Sequence, residues 1–350
     1  MSLEGSYDVA SNVVRVGGDA RQRYHDSRGY GYPLSGNEIA LAPVEAAHLL
    51  FRGDLEAVVD EESDERLDFR TFIAREPGES FGVRFLVYAD LRSRGFYLSP
   101  AAEPWVADPP ASDFAVFPRG KGPGDDEIAY ALRIIGERTD VAADDLADGV
   151  LAVVDEESEI TYFDVNPVDP QGTSESALPD GCGADLLADR VVVWDPPLAL
   201  YEEAFYGQPL EGREYDRPTL QCSLLEATYL AEEGAIDLAP ETVRERGREV
   251  EGERFERRLR VYAELRDRGV VPKTGYKFGA DFRTYANVES VDELGHSELL
   301  VRVHPSTYVF EPRDLALDVR LAHGVRKTMV FALVGEGGGI EWWSLERLTP

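Results

Sequence analysis

VYADLRSRG at residues 87–95 recurs as VYAELRDRG at residues 261–269, and the reading of the whole chain follows from that match. Upstream, EAAHLLFRGDL (45–55) parallels EATYLAEEGAI (226–236), and GYPLSG (31–36) parallels GQPLEG (207–212). Downstream, DFAVF (113–117) answers DFRTY (281–285), and VLAVVDEESEITYFDV (150–165) answers VFALVGEGGGIEWWSL (330–345). Matching segments in one order do not arise from composition, so the chain reads as a tandem duplication. The join falls in NPVDPQGTSESALPDGCG (166–183), whose Pro, Gly, Ser and Asp content is that of a linker. The expected organisation is a first repeat over 1–170, a linker over 171–180 and a second repeat over 181–350.

Within each repeat a few short strands lead to a helix, near 43–52 and 218–233. A long charged helix is expected over 241–268, with Val250, Phe255, Leu259, Tyr262 and Leu265 on its apolar face. Arg268 and Gly269 end it with a cationic last turn and a glycine cap. Strands near 270–277, 281–287 and 298–304 follow, then a helix opened by Pro312 and running to about 325. A hairpin of 328–334 and 340–346 closes the chain across Gly335–Gly339. The fold class is α+β, each repeat having an N-terminal and a C-terminal α/β subdomain. In the second repeat these are 181–240 and 241–350.

The 350 residues are 43% hydrophobic and 10% aromatic, enough for packed cores and too much for a disordered chain. No apolar run approaches the ~18–20 residues of a membrane span. The N-terminal MSLEGSYDVA lacks the basic and apolar regions of a secretion signal, so a cytoplasmic protein is expected. Cys182 and Cys222 make neither a disulfide framework nor a zinc site. Acidic residues outnumber basic ones 67 to 36, a net charge of −31 that by itself argues against nucleic acid. The basic residues are 32 arginines and only four lysines. Acidity with so little lysine reads as adaptation to very high salt, where screening lengths fall to ~3 Å at 1 M. Local charge then decides the partner, and residues 244–283 hold twelve Arg or Lys against eight Asp or Glu.

Several chemistries drop out. GEGGG (335–339) sits between two strands and reads as a hairpin loop, and RGKGPG (119–124) lacks the Gly-Lys-Ser/Thr ending of a phosphate-binding loop. Glu298 is followed by Leu299 and Leu300, not by the Glu-x-Lys of a metal-dependent nuclease. No Gly-x-Ser-x-Gly is present.

The repeats diverge at polar positions. The second carries GYKFGADFRTY (275–285), GHSELLVRV (295–303) and DVRLAHGVRKTMVFALV (318–334). The first has Phe117 in place of Tyr285, no histidine between DFAVF and ALRIIGERTD, and Glu137-Arg138-Thr139-Asp140 as the expected counterpart of the Arg-Lys step. One active and one structural copy follow from that asymmetry. Metal-free RNA cleavage needs a base for the 2′-hydroxyl, an acid for the leaving 5′-oxygen and a cation for the phosphorane. His296 suits the acid, Lys327 the stabilising cation, and Tyr285 the base if a neighbouring cation helps it lose its proton. His304 and His323 are the rival histidines, and Arg320, His323 and Lys327 share a helical face if the helix continues that far.

Together the three motifs resemble the archaeal tRNA-intron splicing endonuclease family, in its two-repeat, homodimeric type. The resemblance spans the chain and implies a nuclease-like C-terminal subdomain in each repeat. It implies Tyr285 as general base, His296 as general acid and Lys327 as stabiliser, without metal or cofactor. Products would be a 2′,3′-cyclic phosphate and a 5′-hydroxyl. The family also clamps a bulged base between two arginines, whose positions point to Arg320 and Arg347. The expected substrate is precursor tRNA in its bulge-helix-bulge form, with no DNA or membrane partner. The acidic hairpin DEESE (155–159) would dock on the second repeat of the partner chain. The alternatives are a non-catalytic RNA-binding or assembly subunit and a metal-dependent nuclease.

Overall fold

A buried glutamate at the start of a helix organises each part of the chain. In Leu224–Glu232 the Ser223 hydroxyl accepts the Glu226 N–H at 3.2 Å, and the Glu226 carboxylate accepts the Ser223 N–H at 3.0 Å. In Pro43–Phe51 the Glu45 carboxylate accepts the Ala42 N–H at 2.9 Å and the Gly31 N–H at 2.8 Å. Each carboxylate thus ties its helix start to the preceding strands. The computed structural model describes residues 3–75, 78, 80–125, 127–175 and 177–350. They form a mixed α/β protein of two compact units, one of Met1–Asp140, Asp148–Val165 and Arg347–Pro350, the other of Val141–Ala147 and Asn166–Glu346.

The first unit opens with a six-stranded sheet that includes Leu3–Asp8, Val13–Val16 and Leu55–Asp60. Helices Pro43–Phe51 and Phe81–Ser93 send Leu49, Val87, Tyr88 and Leu91 into the unit's core. A second set of strands follows in chain order: Tyr97–Pro100, Phe114–Phe117, Tyr130–Gly136, Gly149–Val154 and Ile160–Pro167. Neighbours are antiparallel except Tyr130–Gly136 with Gly149–Val154, which run parallel. DEESE is the exposed turn of the last hairpin, closed by the Asp155 N–H donating to the Glu159 carbonyl at 3.0 Å.

The second unit has a five-stranded sheet, with Arg190–Trp194 and Thr219–Ser223 at its centre, and then helices Leu224–Glu232, Pro240–Glu251 and Glu253–Asp267. Strands Val271–Thr274, Phe282–Tyr285, Leu299–Pro305, Thr328–Val334 and Ile340–Leu348 come next, side by side. Leu299–Pro305 and Thr328–Val334 are the parallel pair, because helix Pro312–Gly324 carries the chain back between them. Phe255, Leu259, Tyr262 and Leu265 pack on Val301, Val330 and Ala332 in the core.

Several sequence expectations need correcting. The single helix over 241–268 is two helices, broken at Gly252 with φ +66, and Val250 lies beside the break 47% exposed, not on the apolar face. The expected helix 218–233 begins only at Leu224, since Thr219–Ser223 pairs as a strand. The strand expected over 270–277 ends at Thr274 and gives way to a tight turn, Tyr276–Phe278. Glu137–Asp140 does not stand where Arg326–Lys327 stands: it follows strand Tyr130–Gly136, whereas Arg326–Lys327 precedes strand Thr328–Val334. The stretch before Gly149–Val154 is Val141–Ala147, whose first two residues pair with Val309–Phe310 within the second unit. Within 171–180, of which Ser176 lies outside the described residues, the N–H groups of Gly172, Thr173 and Ser174 donate to the carbonyls of Arg268, Ala286 and Gly269.

Candidate active site

Phe282–Tyr285 runs antiparallel to Leu299–Pro305, which runs parallel to Thr328–Val334. The C-terminal end of the first and the N-terminal ends of the other two therefore meet at one edge of the sheet. Tyr285 is the last residue of its strand, His296 lies three residues before Leu299, and Lys327 immediately precedes Thr328. The topology alone gathers the three.

Main-chain contacts fix the arrangement. Glu298 donates its N–H to the Thr284 carbonyl at 3.1 Å, and its carboxylate accepts the Ala286 N–H at 3.2 Å, so it grips the strand on both sides of Tyr285. The Glu298 carbonyl accepts the Thr328 N–H at 3.1 Å. Lys327 donates from Nζ to the carbonyl of Ser297, next to His296. Ser297 and Glu298 are the residues that sequence reading missed as organisers: Ser297 acts through its carbonyl, and Glu298 acts through its backbone and through a carboxylate whose partner is a main-chain N–H, which no residue type marks.

The three side chains differ in setting. Tyr285 is 7% exposed, its ring edge-on to Phe205 at 5.8 Å and packed with Val271 and Val288. The Arg283 guanidinium stands 5.7 Å from the ring centre. His296 is exposed on the segment that leads into Leu299–Pro305. Lys327 is half-buried with Nζ 5.8 Å from the centre of the Phe278 ring, and burial together with the Arg283 charge lowers its pKa against the pull of Glu298.

At the opposite ends of these strands, Asp281 accepts from Arg254 and, at 2.9 Å, from the Val303 N–H, with Arg258 Nε also 2.9 Å away. In the first unit Asp113 takes Arg84 and the Ile134 N–H in the same manner. The repeat alignment, which sets Asp113 against Asp281 and Arg84 against Arg258, carried that signal.

The rival histidines separate cleanly. His304 stacks on Tyr308 with ring centres 3.8 Å apart, and burial pushes its pKa down to about 4, so it is neutral at physiological pH. His323 is exposed on the last turn of Pro312–Gly324. That helix ends at Gly324 and Arg326 has φ +59, so Arg320, His323 and Lys327 do not share a helical face. Arg320 and Arg347 are both exposed, with no ion pair to either among the described residues. Arg320 is on the helix and Arg347 near the end of the last strand, in the segment that clusters with the first unit. Among the described residues no three His, Cys, Asp or Glu gather as metal ligands, and no helix is long and apolar enough to cross a membrane.

Comparison with known proteins agrees with this architecture. A family model described as tRNA intron endonuclease, catalytic C-terminal domain, matches residues 255–342. The model of that family's N-terminal domain matches twice, at 7–73 and 183–250. A tRNA-splicing endonuclease of Haloarcula marismortui is 58% identical over 100% of this chain and 99% of its own. The chain belongs to the tRNA intron endonuclease family. Another relative of that name, from Haloferax volcanii, is 53% identical over 98% of this chain and 99% of its own. The family likeness extends to Methanosarcina acetivorans, whose tRNA-splicing endonuclease is 36% identical over 96% of this chain and 97% of its own. The acidic, lysine-poor composition thus goes with salt-loving relatives.

Proposed function

We propose that this protein excises introns from precursor tRNA in the cytoplasm, cutting bulge-helix-bulge RNA by metal-independent transphosphorylation. Tyr285 takes the proton of the 2′-hydroxyl, whose oxygen forms a bond to the adjacent phosphorus. The bond from phosphorus to the 5′-oxygen breaks as His296 delivers a proton to that oxygen. Lys327 balances the charge of the phosphorane. The ends are a 2′,3′-cyclic phosphate and a 5′-hydroxyl, and no electrons change hands. The convergence of Tyr285, the His296–Glu298 segment and Lys327 on one sheet edge carries this reading.

The chain is read as a duplication of one module, with a structural first repeat over 1–170, a linker over 171–180 and a catalytic second repeat over 181–350. The five paired segments, the equivalent Asp113 and Asp281 anchors, and the double match to the N-terminal family model support this. Two such chains would form a homodimer whose two catalytic repeats cut both ends of the intron, with DEESE (155–159) docked on the partner. Arg320 and Arg347 would clamp a bulged base; retained binding of bulged RNA by Arg320→Ala combined with Arg347→Ala would remove that role.

The deciding test is cleavage of bulge-helix-bulge RNA in high KCl with EDTA, wild type beside His296→Ala, with end-group analysis. Cyclic phosphate and 5′-hydroxyl ends from wild type alone are expected, and His296→Ala should lose ~10²–10⁴-fold in rate. Wild-type cleavage only on addition of magnesium would make the protein a metal-dependent nuclease. Binding without cleavage under any condition would make it a non-catalytic RNA-binding subunit.

A further inference from the structure

Tyr276 is 88% exposed, on a turn built to hold it there. The Gly275 N–H donates to the Asp281 carbonyl at 3.1 Å, and the Phe278 and Ala280 N–H groups donate to the Gly275 carbonyl at 2.8 and 3.2 Å. A side chain at Gly275 would sit 2.8 Å from the Ala280 carbonyl oxygen, and Gly279 has φ +70, so the sequence GYKFG suits this turn and few others do. The backbone is fixed while the tyrosine ring packs on nothing that would bury it. The ring contributes little to folding, and its placement asks for another explanation.

The surroundings supply one. Phe278, two residues on, lies against Lys327, and Gly279 approaches Leu321 of the helix that carries Arg320. On its other side Tyr276 borders a cleft of about 640 Å³ lined by Arg254, Arg257, Arg302, His304 and Tyr308. Asp281 and Asp318 are already engaged by Arg254 and Arg302, while Arg257 and the neighbouring Lys277 have no ion pair among the described residues. In a chain of net charge −31 this is a local surplus of cations interleaved with aromatic rings. Base stacking on an aromatic ring also suits molar salt, where phosphate contacts are screened and counterion release adds little.

Resting on the RNA reading above, we infer that the Tyr276 turn and the Arg257 cleft form a substrate subsite at the other end of strands Phe282–Tyr285 and Leu299–Pro305 from the catalytic edge, with Tyr276 stacking on an unpaired nucleobase of the RNA and Arg257 and Lys277 meeting its phosphates. Nothing in the chemistry of the bond change requires this subsite; it positions the strand.

The test uses the full-length protein and a bulge-helix-bulge RNA with a 2′-deoxy nucleotide at the cleavage site, which prevents transphosphorylation. 2-Aminopurine replaces each unpaired nucleotide of the two bulges in turn. Tyr276→Ala should weaken binding roughly ten-fold, within the range of base–aromatic stacking, and abolish fluorescence quenching at one position. Tyr276→Phe should keep both, and Arg257→Ala should weaken binding while flattening its salt dependence. Unchanged affinity and quenching in Tyr276→Ala, with wild type cleaving the all-ribose RNA, would overturn the subsite and leave the proposed function standing. A fall in kcat with unchanged KM and quenching would also overturn it, reducing the turn to a support for Lys327. Wild type that cleaves no such RNA would overturn both.

Discussion

Glu45 and Glu226 occupy matching places at the start of a helix in the two units, yet they are held differently. Glu226 receives Lys273 Nζ at 2.6 Å beside the Gly207 and Ser223 N–H groups, and its pKa falls to about 2, the lysine overcoming a large desolvation effect. Glu45 has the Trp105 indole N–H at 2.9 Å instead, and burial raises its pKa despite that bond and two backbone donors. Around this difference much is shared. Arg92 lies 3.7 Å from the centre of the Tyr30 ring and bonds Tyr88, and Arg266 lies 3.8 Å from that of Tyr206 and bonds Tyr262. Buried contacts that set the packing are the same in both units. What differs is the charge set into them, and the residues at the sheet edge where strands end.

The largest effect separates the units by chemistry. Lys327→Ala should lose ~10²–10³-fold in kcat, the scale of one electrostatic donor to a developing charge. Its folding should be close to wild type, because among the described residues the half-exposed amine bonds a single carbonyl. Lys121→Ala in the first unit, whose amine faces Asp125 and Glu127 at 3.9 Å, should cleave normally. Single-turnover rates on one RNA compare the two directly. Equal losses would erase the division between a catalytic and a structural unit.

A smaller effect, on stability, tests the carboxylates. Lys273→Met leaves Glu226 buried without its counter-charge and should cost about 3–5 kcal/mol at pH 7. The sign with pH follows from the shift. Glu226 has a lowered folded pKa, so its contribution is complete above its ordinary 4.5 and is lost as pH falls toward about 2. The gap in thermal midpoint between wild type and Lys273→Met should therefore narrow as pH falls below 4.5. Glu45, with a raised pKa, works the other way, favouring the fold more as pH falls. A gap that stayed constant with pH would mean that the ion pair is not what Lys273 contributes.

How much of this was legible in the sequence depended on where the signal lay. Tyr285, His296 and Lys327 stood out because they are polar residues that one repeat has and the other lacks, and topology brings those segments to one edge. The hairpin across Gly335–Gly339 and helix Pro312–Gly324 were likewise readable from glycine and proline placement. The break at Gly252 was not, because charged residues on both sides keep helical spacing and only backbone conformation marks it. Nor was the short stretch 141–147 between Tyr130–Gly136 and Gly149–Val154, where the second unit has helix Pro312–Gly324 between Leu299–Pro305 and Thr328–Val334, since a missing element has no motif. The buried pairing of Glu226 with Lys273 was hidden for another reason: the partners are 47 residues apart and each alone reads as a surface charge.

Ser99 provides the finest test of the comparison. It occupies, in strand Tyr97–Pro100, the place that Lys273 holds in Val271–Thr274, as the pairing of Tyr97 with Phe117 and of Val271 with Tyr285 sets out. Its hydroxyl is fully buried and has no hydrogen-bond partner among the described residues. A hydroxyl with no partner gives the fold nothing to lose and retains its desolvation cost, so Ser99→Ala should change stability by no more than about 0.5 kcal/mol, in the stabilising direction. The matching truncation in the second unit, Lys273→Met, is the strongly destabilising change described above. Chemical-denaturation midpoints of the two variants therefore set one position against its counterpart. A Ser99→Ala protein destabilised by as much as Lys273→Met would show that the hydroxyl serves Glu45 as the lysine serves Glu226, and the two carboxylate sites would then differ in charge alone.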